Sequence, residues 1–277
     1  MNALSTQEAP VPEAATTAEA YSTQQGYGAE HAEIYDAVYR GRGKDYAAEA
    51  EDILRLLRGY RSDITSLLDV ACGTGTHLAA LREIVGHVEG VELSPWMHAI
   101  AARRLPGVPV HQDDMRSFSL DRTFDALTCL FSSIGYMTSS DELDRTLSVF
   151  RAHLNPGGVV VVEPWWFPGE FLDGYVGGSV VEVDGRTIAR VSHTVREGDR
   201  TRMNVEYTVG ESTTGLRRFS DTHVLTLFTQ EQYERAFERA GFTVTYLTGG
   251  PSGRGLFVGV APGAGPAPSA AHAQERS

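Results

Sequence analysis

Apolar residues recur along this chain with two different periods, and the changes from one to the other mark out its elements. AEHAEIYDAVYRG (29–41) and KDYAAEAEDILRLLRGY (44–60) carry them at helical spacing, with Ala50, Ile53, Leu54 and Leu57 on one face. From residue 66, short apolar runs alternate with amphipathic stretches. SLLDVA (66–71), VEGVEL (88–93), VPVHQD (108–113) and FDALTCLF (124–131) predict strands; THLAALREIV (76–85) and SPWMHAIAARRL (94–105) predict helices. A helix in ELDRTLSVFRAHL is expected to stop at Asn155-Pro156-Gly157-Gly158, and GVVVVEP (158–164) follows as a strand. Fully apolar strands between helices denote a parallel sheet covered on both faces. The expected fold class is therefore α/β, a doubly wound, mostly parallel, Rossmann-like sheet.

Between about 172 and 228 the period becomes two. SVVEVD, RTIARVSHTVREG, RTRMNVEYTVGES and LRRFSDTHVLTLF alternate polar and apolar residues, separated by turn signals such as Asp184-Gly185 and Glu197-Gly198-Asp199. This predicts an antiparallel insertion with one face buried. QEQYERAFERAG then predicts a helix stopped at Gly241, and FTVTYLTGG and GRGLFVGVA supply two closing strands. The expected organisation is an α/β core with a helical N-terminal cover (27–171), the insertion (172–228), and a closing helix and strands (229–261). The flanks 1–26 and 262–277 are poor in core-forming residues and should lack fixed structure.

The 277 residues are 42% hydrophobic, enough for one large domain or a domain with an insertion. A formal net charge of −12 argues against a nucleic acid or an anionic membrane as partner. The first 39 residues contain no Lys or Arg, so the basic start of a signal peptide is missing. No apolar run approaches the ~20 residues of a membrane span. With two cysteines, Cys72 and Cys129, neither a disulfide framework nor a thiolate metal site is expected, and the chain reads as cytoplasmic.

LLDVACGTGTHL (67–78) is an apolar strand, an acid, Gly-x-Gly, then a helix start. Glycines let the backbone turn tightly against a ligand, and the helix start presents free N–H groups. Glu92 ends the next strand, where an acid can accept both hydroxyls of a ribose. A dinucleotide loop usually has a third glycine, whereas Leu78 stands here. Asp69 ends its strand as an anion, which suits a cationic ligand better than a pyrophosphate. S-adenosylmethionine, with a sulfonium, an ammonium and a ribose, fits best. Asp114 and Met115 follow the third strand and could flank an adenine. Phe131 and Ser132 end the fourth strand, at the ligand-bearing edge.

EPWWFP (163–168) lies just past a central strand at that same edge. In such a Pro-bounded loop Trp165 is expected to face a ligand, with Trp166 left to the core; for Glu163 a buried, hydrogen-bonded carboxylate competes with a functional role. Arg254 sits between glycines, and its guanidinium matches the paired oxygens of a diphosphate. Arg190 lies mid-strand. His193 and His223 are expected on exposed or hydrogen-bonded strand faces. No His/Asp/Glu set has metal-ligand spacing along the sequence, and no metal is expected.

Taken together, DVACGTGTHL, YRGRGKDYAAEA, FSSIGYM, VVVVEPWWFP, RVSHTVREG and GGPSGRGLFVGV resemble the dTDP-3-amino-sugar N,N-dimethyltransferases, which make the dimethylamino sugars of macrolides. The likeness runs from about Tyr27 to Val260. It implies a class I S-adenosylmethionine fold, a homodimer, and two successive methyl transfers to the C-3 amine of a dTDP-3-amino-deoxyhexose. The N-terminal helices and the insertion would cover the active site and build the subunit contact. Carried over by motif, Tyr46, Gly73, Glu92, Asp114 and Met115 contact the cofactor, with Asp69, Ala71, Leu93 and Phe131 assigned beside them. Tyr27 and Tyr35 match aromatic positions near the sugar, and Tyr35 is assigned to the cofactor as well. Trp165, Arg190 and Arg254 match positions facing the nucleotide, and Ser133 is assigned to the substrate. Some relatives carry His at the end of the FSSIG motif, where this chain, like other relatives, has Tyr136. Tyr27 and Tyr136 are the expected catalytic residues. Alignment of a neutral amine with the sulfonium methyl can supply ~7–11 kcal/mol. Tyr136→Phe is therefore expected to slow methylation by less than ~100-fold. Another class I small-molecule methyltransferase, acting on oxygen or on an amino acid, stays open as the alternative.

Overall fold

The computed structural model describes residues 27–263. The two stretches expected to lack fixed structure lie outside them, apart from Pro262 and Gly263. Two helices come first, α1 (Ala29–Gly41) and α2 (Tyr46–Tyr60). Asp45 starts α2 by accepting from the N–H groups of Ala47 and Ala48 at 3.1 and 3.0 Å. The predicted stripe of Ala50, Ile53, Leu54 and Leu57 is buried.

The core alternates β1 (Ser66–Val70), α3 (Thr76–Arg82), β2 (His87–Glu92), α4 (Pro95–Arg104), β3 (Val110–Gln112), β4 (Phe124–Cys129), α5 (Ser140–Ala152) and β5 (Leu154–Val162). After the insertion come α6 (Gln230–Arg239), β10 (Thr243–Leu247) and β11 (Leu256–Val260). The seven strands run in the order β10-β11-β5-β4-β1-β2-β3, with β11 antiparallel to both neighbours and β1 to β5 parallel. Neighbouring residues feed opposite faces. Leu68 and Val160 join one apolar cluster, Leu67 and Val159 the other, which is why these strands are apolar throughout. The strand order reverses between β1 and β4, so ligands are expected in the crevice beyond their carboxyl ends.

One boundary differs from expectation. α5 ends at Ala152, and Asn155-Pro156-Gly157-Gly158 belongs to the first half of β5 rather than to a stop before it. The register against β4 jumps from Phe124↔Leu154 to Ala126↔Val159, so the Pro-Gly-Gly stretch is an irregularity inside the strand.

The insertion is a four-stranded antiparallel meander: β6 (Tyr175–Val183), β7 (Arg186–Glu197), β8 (Arg200–Glu211) and β9 (Gly215–Thr226). Asp184 and Gly185 turn its first hairpin with φ of 52° and 75°, as Asp-Gly pairs favour. Its inner face (Val181, Ile188, Val205, Tyr207 and Val209) packs on Ile34, Ala37 and Val38 of α1. A Cβ at Gly41 would lie 2.6 Å from that of Val181, so this helix end needs glycine to close on the sheet. α1 is thereby laid as a roof between the core and the insertion. Among the described residues no helix is long and apolar enough to cross a membrane.

Candidate active site

The turn after β1 takes Ala71, Gly73 and Gly75 through the left-handed region, with φ of 57°, 60° and 75°. A Cβ at Gly75 would lie 3.0 Å from Ala101 Cβ and Leu105 Cδ1, so α3 sits tight against α4. Glu92 is laced to this turn: its carboxylate accepts from the N–H of Gly73 at 2.8 Å and of Ser94 at 2.7 Å. Burial raises its pKa. Asp69 accepts from Thr128 Oγ1 at 2.7 Å, and burial pushes its pKa up to about 6. Two buried carboxylates, one on each of the paired strands β1 and β2, thus stand at the mouth of the sheet.

A cavity of about 570 Å³ opens there. Asp69, Ala71, Gly73, Glu92 and Leu93 line its floor, and Asp114, Met115 and Phe131 its sides. Burial pushes Asp114 up, but hydrogen bonds from Arg116 outweigh it and hold the carboxyl below its usual range. Tyr35 and Tyr46 close the cavity from α1 and α2. The buried Tyr46 hydroxyl has no hydrogen-bond partner among the described residues. A Cβ at Gly73 would meet nothing within 4 Å, so that side of the turn faces open space. Two buried acids, an orphan hydroxyl and an open glycine turn fit a cationic nucleoside such as S-adenosylmethionine.

After β4, Phe131 and Ser132 are consecutive non-glycine residues at positive φ, 56° and 63°. Each such residue costs about 1–3 kcal/mol and persists only where neighbours over-determine it. The EPWWFP loop does so. Glu163 accepts from the Phe131 N–H at 2.6 Å, and Ser132 Oγ donates to the Pro164 carbonyl at 2.7 Å. Glu163 is therefore a buried carboxylate hydrogen-bonded through Oε2, the structural one of the readings open to it from sequence, while its Oε1 has no hydrogen-bond partner among the described residues.

Beyond this strained step lies a second cavity, of about 860 Å³, lined by Trp165, Trp166, Arg190 and Arg254. The Arg254 guanidinium lies 5.0 Å from the Trp165 ring and 5.3 Å from the Trp166 ring, and its Nε donates to Ser132 Oγ at 3.1 Å. Trp165 Nε1 donates to Thr201 Oγ1 at 3.1 Å. Its Cβ would lie 2.9 Å from a Cβ on Gly135, so the glycine of FSSIGY makes room for this indole. Arg190 donates to Ser192 Oγ at 2.9 Å, while its buried Nε lacks a partner. Among the described residues neither arginine forms an ion pair, so both charges are available to an anion.

Tyr27, Phe131 and Tyr136 line both cavities and form the wall between them. The Tyr27 carbonyl accepts from Ser94 Oγ at 3.0 Å, and its ring packs edge-on to Tyr35 at 5.4 Å. Burial raises the Tyr27 and Tyr35 hydroxyls well above their ordinary pKa.

Some placements differ from those expected. Trp166 is not a core residue: the Pro-bounded loop turns it into the second cavity beside Trp165. Ser133, assigned to the substrate, lines the first cavity instead: it opens the tight turn Ser133–Tyr136, and its Oγ donates to the Leu130 carbonyl. Tyr35 likewise lines only the first. The glycine after Arg254 serves packing: a Cβ there would lie 2.3 Å from Tyr246 Oη, which donates to the Arg254 carbonyl at 3.0 Å. His193 is exposed, but His223 is buried, and its Nδ1 lies 2.8 Å from Tyr136 Oη. Ligand-capable atoms of His31, Asp221 and His223 come within 4.8 Å of one another, a grouping that sequence spacing does not display. His31 is 190 residues from Asp221, and both its ring nitrogens are engaged, one by Asp221 and one by Tyr207.

A family model described as a methyltransferase domain matches residues 67–158. The chain is 56% identical, over 84% of its length and 99% of the relative, to the dTDP-3-amino-3,4,6-trideoxy-alpha-D-glucopyranose N,N-dimethyltransferase of Streptomyces venezuelae. It is 54% identical, over 87% of its length and 94% of the relative, to the dTDP-3-amino-3,6-dideoxy-alpha-D-glucopyranose N,N-dimethyltransferase of Streptomyces fradiae. Among solved structures it superimposes on SAM-bound CalS10, an amino pentose methyltransferase from Micromonospora echinaspora involved in calicheamicin biosynthesis. The TM-score there is 0.77 at 49% identity, covering 82% of this chain and 96% of that one.

Proposed function

The chain belongs to the dTDP-amino-sugar N,N-dimethyltransferases, and from that premise we propose that it dimethylates the C-3 amine of a dTDP-3-amino-deoxyhexose with S-adenosylmethionine as donor. The observation that carries this is the pair of cavities sharing one wall, one with buried acids and one in which Arg254 packs on two indoles with Arg190 also in the lining. Both relatives described above are named for 3-amino sugars, which favours C-3.

S-adenosylmethionine would supply an electrophilic methyl group carried on a sulfonium. Asp69 and Glu92 offer buried negative charge to a cationic ligand, and Tyr46 offers its hydroxyl. Arg254 and Arg190 hold a diphosphate in the second cavity, while Trp165 and Trp166 give flat faces to a base or a hexose. Tyr27 and Tyr136 border the gap across which the amine meets the methyl group. The roof of α1 and the strained Phe131-Ser132 step keep the two chambers in register, and alignment of this kind is worth ~7–11 kcal/mol of barrier.

We further propose a homodimer formed through the outer face of the insertion. That face exposes Val176 on β6, Val180 on the same strand, Val191 on β7 and Leu216 on β9. Sedimentation should give twice the chain mass, and a Val180→Glu, Val191→Glu double variant should sediment as one chain.

To test the activity, methyl-labelled donor is incubated with dTDP-3-amino-6-deoxyhexoses bearing or lacking a 4-hydroxyl, and with a 4-amino isomer. Transfer of two methyl groups to a 3-amino sugar is expected. Transfer only to the 4-amino isomer, or to none of the panel, would overturn the assignment.

A further inference from the structure

Behind the shared wall lies a polar cluster that binding of donor or nucleotide does not use. Tyr136 Oη stands 2.8 Å from Nδ1 of His223, a residue 3% exposed. Two residues earlier on β9, Asp221 pairs with His31 Nδ1, and His31 Nε2 lies 3.1 Å from Tyr207 Oη on β8. Ligand-capable atoms of His31, Asp221 and His223 fall within 4.8 Å of one another. The Asp221 side chain is 16% exposed, so a row of polar groups runs from the wall between the cavities to the surface.

An alkyl amine is mainly an ammonium at neutral pH and then has no lone pair to attack with. Each of the two transfers therefore requires the bound nitrogen to lose a proton inside a roofed site. His223 is the group placed to receive that proton through Tyr136. Tyr136 faces it from the turn after β4, Tyr27 from just before α1, His31 from α1, Arg190 from β7, and Asp221 from its own strand. Burial, His31 and Arg190 oppose a charge on the imidazole and Asp221 favours one; the net effect lowers its pKa to about 4. At working pH His223 is neutral, so its Nδ1 can accept a hydrogen bond from Tyr136 Oη, and the same surroundings oppose its keeping a proton, as a relay requires.

We infer that His223 is a positioning residue that takes the Tyr136 hydroxyl proton on Nδ1, leaving the Tyr136 oxygen to accept from the substrate nitrogen and opening a route by which that nitrogen sheds its proton. The ammonium proton passes to Tyr136 Oη as the tyrosine's own proton passes to Nδ1. The nitrogen keeps the N–H bonding pair as its lone pair. Water on the Asp221 side then relieves His223 of one proton. This rests on the function proposed above.

The test measures kcat and KM for a dTDP-3-amino sugar, with saturating donor, for the unsubstituted protein, His223→Phe and His223→Gln. Rates at about pH 7 and about pH 9 are compared, because free amine is supplied neutral at the higher value. His223→Phe should lose roughly 10- to 100-fold in kcat near pH 7 and recover most of it near pH 9, with donor affinity unchanged by calorimetry. His223→Gln, whose amide can hold Tyr136 but not carry a proton, should show the same pH-dependent loss. A loss by one factor at every pH, or no loss, would overturn the role of His223 while leaving the function intact. If His223→Phe melts at room temperature, Tyr136→Phe removes the same route from the other end and must show the same pH signature. No methyl transfer by the unsubstituted protein would remove both this role and the function beneath it.

Discussion

The two cavities meet at Tyr27, Phe131 and Tyr136 but are built by different means. The donor-side cavity is made mostly by the carboxyl edge of one sheet. Its turn, its acids Asp69 and Glu92, and Asp114 follow successive strands within about fifty residues of chain. The second cavity is assembled from distant pieces: α1, the start of α2 and the segment between them, the turn after β4, the EPWWFP loop and the residues after it, all four strands of the insertion, and the loop before β11. Their charge differs as well. Carboxylates dominate the floor of the first, whereas the second is lined by Asp45, Glu49, Asp52 and Glu170 as well as by Arg42, Lys44, Arg190 and Arg254, the last two without ion pairs among the described residues. The buried carboxylates of the first favour a cation, and in the second Arg190 and Arg254 favour an anion locally.

If that division is real, substitutions should separate cleanly. The largest effect is expected from Arg254→Ala, which removes a half-buried guanidinium stacked on two indoles. KM for the dTDP-sugar should rise by roughly 2–5 kcal/mol's worth, 30-fold or more, with donor affinity unchanged by calorimetry. Equal weakening of both ligands would erase the distinction. Next, Asp69→Asn should weaken donor binding by roughly 1.5–3 kcal/mol while a dTDP ligand binds as before.

Titration gives a third handle on the same acid. Burial raises the folded-state pKa of Asp69 to about 6, so the anion is present above that value and lost as pH falls through it. Donor affinity should hold from pH 8 to 7 and then decline about tenfold per unit below pH 6. Nucleotide binding through arginines should not follow that curve, and a shared pH profile would count against separate chambers. The smallest effect is reserved for Trp166→Leu: loss of one stacked indole should raise the sugar KM by roughly 0.5–2 kcal/mol's worth, leaving the melting temperature nearly unchanged. A large drop in melting temperature with KM unaltered would return Trp166 to the core.

How much was legible beforehand follows the same division. Asp69, Gly73, Glu92, Asp114 and Met115 were readable because each sits at a fixed offset from an apolar strand, and strand ends in a doubly wound sheet share one edge. EPWWFP and Arg254 were readable as motif and as placement, although the orientation of Trp166 was not, since a loop's side-chain directions follow no period. His223 was seen only as a strand-face histidine. Its partners Tyr136, His31 and Tyr27 lie 87 to 196 residues away, and nothing local announces that they converge.

The alternation of apolar strands with amphipathic helices, then of apolar with polar residues, determined by itself the elements, the parallel sheet, the antiparallel insertion and the edge where ligands bind. These depend on near-neighbour periodicity, which a chain carries openly. The tertiary structure alone decided that there are two chambers, which ring faces which of them, and that a buried histidine backs the tyrosine between them. Those facts depend on how α1 and the insertion close over the sheet, and packing across long stretches of chain leaves no period to read.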